Sequence, residues 1–294
     1  MDVYANKLSL WEPGTGTVFE QPPLPANPRP LSGPHHPSDF AQRVYAYEAL
    51  SSSDSSAQRA VEPYTLQWFL DIESHRHGRR GRWIPRLLEF AKHSGDTLLG
   101  LGNGLGTDWL QYARHGAQVI VCSPSAAHLD LARRNFELRS LSGRFLHAEP
   151  ENLPLESASI DVVCINGLLH EVASPAGVVR EVYRVLKPGG KVLAVMPARY
   201  DVDFWFSVCF PWQRLLMPRQ NARGTKVRFS SRKLRRIFEQ FVEHRFYKRQ
   251  LRRSEVPHIW RWAPMPLLER LMGRALVLKA FKPLSAAIAS QNAA

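Results

Sequence analysis

The chain has 294 residues, 44% of them hydrophobic, which gives room for one large α/β domain with additions or two small ones and excludes wholesale disorder. The formal charge is +13, and between Arg214 and Lys282 nineteen Lys or Arg stand against four Asp or Glu. The excess is therefore local and points to an anionic partner surface: lipid headgroups, an acidic substrate or nucleic acid.

Cys122, Cys164 and Cys209 are far apart and show no CxxC or Cys/His spacing. That argues against a disulfide framework or a metal site and fits a reducing, cytoplasmic setting. The opening Met-Asp-Val-Tyr-Ala-Asn-Lys lacks the charged-then-apolar pattern of a signal peptide. No stretch reaches roughly 18 uninterrupted apolar residues, so no spanning helix is expected.

Residues 1–60 carry eight prolines between Pro13 and Pro37 and a serine-rich run at 51–56, and read as an extended or disordered arm. Residues 61–96 read as a helical lead-in and cap. There Leu66, Trp68, Phe69, Ile72, Trp83, Ile84, Leu87, Leu88 and Phe90 recur at broken helical spacing around the basic patch 75–82. Between 97 and 197 the pattern alternates. Apolar runs at 97–101, 117–122, 143–147, 160–165 and 191–197 read as buried strands, and 107–114, 125–138 and 175–187 as helices. Strand and helix in repetition predict an α/β domain, a mostly parallel sheet with helices on both faces. Lys187-Pro188-Gly189-Gly190 is expected to end the last of these helices in a turn.

Residues 198–294 divide into an aromatic insertion, closing strands and a basic C-terminal region. The stretch 200–217 holds Tyr200, Phe204, Trp205, Phe206, Phe210 and Trp212 and reads as core or subdomain packing; the competing reading is that with the lead-in helices it roofs a site for a large apolar ligand. Residues 231–241 predict a helix with Leu234, Ile237, Phe238 and Phe241 on one face. Segments 242–249 and 274–281 read as closing strands.

The chemistry concentrates at Leu98-Leu99-Gly100-Leu101-Gly102-Asn103-Gly104-Leu105-Gly106, where an apolar strand runs into glycines at alternate positions and a helix start. Glycine lets a ligand approach the backbone closely, and the helix start offers free N–H groups. The spacing does not satisfy Gly-x-Gly-x-x-Gly in either register, so a dinucleotide fingerprint is not read.

Gly102-x-Gly104-x-Gly106 instead resembles motif I of the class I S-adenosylmethionine-dependent methyltransferases. Four further blocks follow in family order: Gly116 to Ser125 with Leu129 and Leu131-Ala132-Arg133; Ala148-Glu149-Pro150-Glu151-Asn152-Leu153-Pro154; Ser159 to Val163 with Gly167-Leu168-Leu169-His170; and Glu181 to Gly190. The resemblance covers roughly 83–197 and continues weakly to 282. It implies a Rossmann-like class I methyltransferase fold with a mostly parallel, seven-stranded sheet.

The same resemblance implies S-adenosyl-L-methionine as cofactor. Its methionine end would lie over Gly102, Asn103, Gly104 and Gly106, its ribose at Ser123 and its adenine beside Glu149 and Pro150. Asn166 and Gly167 would close the pocket. Asp108, in the first turn of the helix after the loop, suits the helix dipole and is a candidate contact to the cofactor's amino group. His170 is a candidate general base, with a structural role as the competing reading. Cys122 and Cys164 read as inert core.

Two positions depart from the family pattern. Gly100 stands where an acid is usual and reads as that acid's vacated place. Ser123 stands where Asp or Glu usually accepts from the ribose hydroxyls. Losing charge-assisted hydrogen bonds costs about 1.5–3 kcal/mol each. The expected function is methyl transfer to a small or lipid-like acceptor. The alternative is a catalytically silent protein of this fold that docks through its basic surface. The +15 balance over 214–282, with Trp260 and Trp262 beside Arg261, predicts attachment to an anionic membrane in preference to nucleic acid.

Overall fold

A computed structural model describes residues 62–79, 81–209 and 227–284. The expected arm at 1–60, the aromatic residues Phe210 and Trp212, and the basic positions between 214 and 226 lie outside the described residues.

The elements in chain order are α1 (Leu66–His77), α2 (Trp83–Leu88), β1 (Thr97–Gly102), α3 (Thr107–Arg114), β2 (Gln118–Ser123), α4 (Ala126–Glu137) and β3 (Arg144–His147). They continue with β4 (Ile160–Asn166), α5 (Pro175–Val185), β5 (Leu186–Pro197) and α6 (Val202–Cys209). Beyond residue 226 come α7 (Ser231–Ile237), β6 (Val242–Arg249), α8 (Met265–Met272) and β7 (Ala275–Phe281). Among the described residues seven strands form one sheet in the order β3-β2-β1-β4-β5-β7-β6. Strands β1 to β5 pair in parallel, whereas β7 runs antiparallel between β5 and β6.

The period-2 geometry of a strand divides the core in two. Leu99, Leu101, Val163, Ile165, Val192 and Ala194 face one side, where α5 and α7 cover them with Val178, Val182, Val185 and Leu234, joined by Phe238 just after α7. Leu98, Val119, Val121, Val162, Cys164 and Leu193 face the other, under α2, α3 and α4. Each such Val or Leu contributes about 1.5–3 kcal/mol by burial. Helix α5 begins where it does because Ser174 accepts from the Gly177 amide at 3.1 Å and Pro175 takes the first turn.

The turn expected at 187–190 is present but is absorbed into the sheet. Helix α5 stops at Val185, and Leu186 already pairs with Ile160 while Lys191 pairs with Val162. The intervening residues bulge out, with Gly189 at φ +77°, a conformation that favours glycine.

The chain direction decides which features share an edge. Strands β1, β2, β4 and β5 end at Gly102, Ser123, Asn166 and Pro197. At that same edge β7 begins, because Ala275 pairs with both Pro197 and Arg249. Residues 198–209 and 250–274 therefore join the sheet on the edge that carries the glycine loop.

Candidate active site

The sheet order reverses between β1 and β4, and their last pair is Gly102 opposite Asn166. Such a switch point leaves a crevice outside the carboxyl ends of the strands. Gly102 is required here by space: a Cβ would stand 2.1 Å from the Asn166 carbonyl oxygen. Gly106 adopts φ +71° to start α3 without a side-chain cap, so the first amides of that helix are left to other partners. Asn135 Nδ2 holds the Leu105 carbonyl at 2.9 Å, which fixes the loop between them.

Helix α1 lies over this loop. Trp68, Phe69 and Ile72 pack on Leu105 and Leu131, and Arg76 extends the same helical face. Arg76 meets Asp108 with Nε at 2.7 Å and Nη2 at 2.5 Å, both side chains buried. His77 Nε2 is 3.0 Å from Asp108 Oδ1, and Asn166 Nδ2 donates to Oδ2 at 2.8 Å. Burial alone would raise the Asp108 carboxyl, but the Arg76 guanidinium and then the His77 ring outweigh it and hold the group well below the usual carboxylate range. Both oxygens are thus engaged with the protein itself. The geometry makes Asp108 an anchor between α1, α3 and β4, where a contact to the cofactor's amino group was the expectation.

Gly100 is not a vacancy either. A Cβ there would lie 2.7 Å from the Trp109 ring, which covers the glycine and is itself buried. The space beside β1 is filled by an indole, and the buried acid of this region sits one residue before that indole, at the start of α3.

Ser123 ends β2 and is buried. Its hydroxyl donates to Asn103 Oδ1 at 2.9 Å and accepts from the Ser125 amide at 3.1 Å. Asn103 Nδ2 donates in turn to Glu171 Oε2 at 3.0 Å, so one amide side chain spans from Ser123 to Glu171. His170 Nε2 lies 3.4 Å from Glu171 Oε1, and His170 Nδ1 is buried with no hydrogen-bond partner among the described residues. Glu149 follows β3 and is exposed, whereas Pro150 beside it is buried. The Ala148 amide bonds the Ser123 carbonyl, which brings Glu149 close behind the end of β2. Gly167, at φ +67°, turns the chain after Asn166.

Gly102, Asn103, Gly104, Gly106, Ser123, Glu149, Pro150, Asn166, Gly167 and His170 therefore all sit on or immediately after the carboxyl ends of β1 to β4. Sequence reasoning passed over Arg76, His77, Trp109 and Glu171. Glu171 carried a local signal, a carboxylate next to His170. The pairing of Arg76 with Asp108 spans 32 residues and has no local signal. Burial pushes the Cys122 thiol up to about 11 and the Cys164 thiol up to about 12. Both are protonated core groups at neutral pH.

A parallel sheet with this order, closed by an antiparallel β7 and bearing a glycine turn at its switch point, is the class I methyltransferase fold. The chain belongs to the class I S-adenosylmethionine-dependent methyltransferases. A methyltransferase-domain family model matches residues 98–194. The ubiquinone biosynthesis O-methyltransferase of Methylocella silvestris is 30% identical over 208 residues, 64% of this chain and 79% of that protein. A demethylmenaquinone methyltransferase of Clavibacter sepedonicus is 35% identical over 104 residues, 34% of this chain and 40% of that protein. An S-adenosylmethionine-dependent methyltransferase from Aquifex aeolicus shares the fold at a TM-score of 0.50 and 14% identity, covering 74% of this chain and 98% of its own.

The residues at the switch point fit such a donor. The Gly102 position admits no side chain, the first α3 amides have no side-chain cap, and Ser123 and Asn103 present hydroxyl and amide groups at the ends of β2 and β1.

Proposed function

We propose that this protein transfers a methyl group from S-adenosylmethionine to a hydroxyl of a small, lipid-like acceptor of the quinol type. Bound S-adenosylmethionine supplies the electrophilic methyl group. Gly102, Asn103, Gly104 and Gly106 floor the methionine end, and Asn166 and Gly167 close it. Ser123 and Asn103 together replace the single carboxylate usual for the ribose. Glu149 and Pro150 flank the adenine. The quinone-related relatives support the acceptor class.

The observation that carries the hydroxyl reading is His170. Glu171 Oε1 lies 3.4 Å from Nε2, and Nδ1 is buried without a hydrogen-bond partner among the described residues, so the tautomer protonated at Nε2 keeps a lone pair on Nδ1. A buried polar atom left unmatched costs about 1–3 kcal/mol. An acceptor hydroxyl satisfies it and hands over its proton as the oxygen is methylated. Glu171 lies beside the ring, with Oε1 3.4 Å from Nε2. The rest of the work is alignment and exclusion of water.

Titration calorimetry with S-adenosylmethionine and initial rates on a short-chain catechol-type quinol test this. Gly104→Asp is expected to abolish the heat of binding. His170→Ala is expected to keep it and to lower kcat by about 100-fold or more. No binding at millimolar donor would refute the enzyme reading. An unchanged kcat in His170→Ala, or a thiol used in place of the quinol, would refute the hydroxyl reading.

A further inference from the structure

The small lobe on the active-site edge has its own core, in which Val202, Leu251, Val256, Ala263, Leu268 and Met272 pack together with Trp205 and Trp260 against them. Its outer side is unusually apolar. Trp262 is 84% exposed, Ile259 56% and Leu267 51%, and Leu271 follows Leu267 by one turn of α8. The Trp262 indole N–H is spent on the Ile259 carbonyl at 2.8 Å, which ties the two side chains to one short loop. Tyr200, also exposed, lies close to Leu271: Lys248 Nζ donates to the carbonyls of both, at 2.7 and 2.8 Å.

Cations adjoin this surface. Arg232, Arg235, Phe246, Lys248, Arg270 and Leu276 line a groove of about 410 Å³. The Arg235 guanidinium stands 5.8 Å over the Phe246 ring. Arg232, Arg235 and Arg270 are exposed and have no carboxylate partner among the described residues. Between 248 and 274 the chain has seven Lys or Arg and two Glu. Apolar and aromatic side chains that leave the protein beside unpaired arginines match the interface of an anionic bilayer, where rings and aliphatic chains enter the headgroup boundary and cations meet phosphates. A nucleic-acid surface has no use for Leu267, Leu271 and Ile259, which can neither stack on a base nor pair with phosphate.

We propose that this lobe docks on an anionic phospholipid membrane, with Trp262, Ile259, Leu267 and Leu271 entering the interface and Arg232, Arg235 and Arg270 contacting the headgroups. The sheet topology places the lobe on the edge that carries Gly102, Ser123 and Asn166, so docking turns that edge toward the lipid. A lipid-like acceptor then reaches the site from the bilayer without crossing water. Only this last step rests on the acceptor reading above.

Flotation with phosphatidylcholine–phosphatidylglycerol vesicles, against pure phosphatidylcholine, tests the docking without methyl transfer. The wild-type chain is expected to float with anionic vesicles and to dissociate as salt rises. Arg232→Gln/Arg235→Gln/Arg270→Gln is expected to weaken binding on the order of 100-fold. Trp262→Ser/Leu267→Ser is expected to weaken it about tenfold or more. Both variants change exposed residues, and each is checked by its unchanged Tm and donor-binding heat. Binding that ignores lipid charge, two folded variants that float like the wild type, or preference for transfer RNA over vesicles overturns the proposal. Donor binding with no vesicle binding removes this inference and leaves the enzyme reading intact. Vesicle binding with no donor binding does the reverse.

Discussion

Restoring the family's usual acid by Gly100→Asp should damage this protein rather than improve it. A Cβ at position 100 would be 2.7 Å from Trp109 ring atoms, whereas ordinary contact begins at 3.4 Å. The indole must retreat by roughly 0.7 Å inside a packed core, and overpacking of this kind costs about 1–3 kcal/mol. The new carboxyl would also be buried. Gly100 pairs with Cys164, whose thiol already feels the Asp108 charge, so a second carboxylate there meets repulsion. An unmatched buried polar group adds about 1–3 kcal/mol. The total, about 2–6 kcal/mol, corresponds to a fall in Tm of about 5–20 °C for a domain of this size. Gly100→Ala isolates the steric part and should lose about half as much. Gly100→Asp/Trp109→Leu makes room and should recover part of the loss. Differential scanning calorimetry and donor titration read both quantities. A Gly100→Asp variant that melts like the wild type and binds S-adenosylmethionine more tightly would show that Trp109 does not fill the place of the acid.

Two further outcomes follow from the buried charges. Asp108→Asn leaves Arg76 buried without its counter-charge and should cost about 3–5 kcal/mol in urea unfolding, while Arg76→Met/Asp108→Asn should cost less than the two single changes summed; simple additivity would contradict a coupled pair. Glu89 receives Lys191 at 2.6 Å and Lys279 at 2.9 Å. Burial opposes its charge, but the two ammoniums more than offset this and hold the carboxyl at about 2 against an ordinary 4.5. A depressed carboxylate stabilises the fold fully above its unfolded value and loses that contribution as pH falls through the folded one. The urea midpoint should therefore stay level for this group down to about pH 4.5 and decline toward pH 2, and Glu89→Gln should flatten part of the decline; an unaltered acid limb in that variant would mean that Glu89 is not a source of it.

The sequence was sufficient wherever the controlling interaction was local. Alternating apolar runs and glycine turns located the strands from Thr97 to Pro197 to within a residue or two at most ends, because period-2 burial and turn chemistry are written in neighbouring positions. The start of β5 is the exception: the turn at 187–190 was legible, but its inclusion in the strand depends on Ile160 and Val162 across the sheet. The glycines of the loop, Ser123 and Asn166 were legible for the same local reason, since each ends a strand or turns the chain.

Contacts across the fold were decided only by the tertiary structure. Nothing around Gly100 announces that Trp109 covers it, and nothing around Asp108 announces Arg76, because a helix over 30 residues upstream must first pack Trp68, Phe69 and Ile72 onto Leu105. The excess of positive charge was plain from composition, but its position relative to the site was not. That position depends on β7 running antiparallel beside β5, which returns residues 250–274 to the edge where the parallel strands end. Local chemistry thus specified the loop that can hold a methyl donor, and chain direction through the sheet decided what stands beside it.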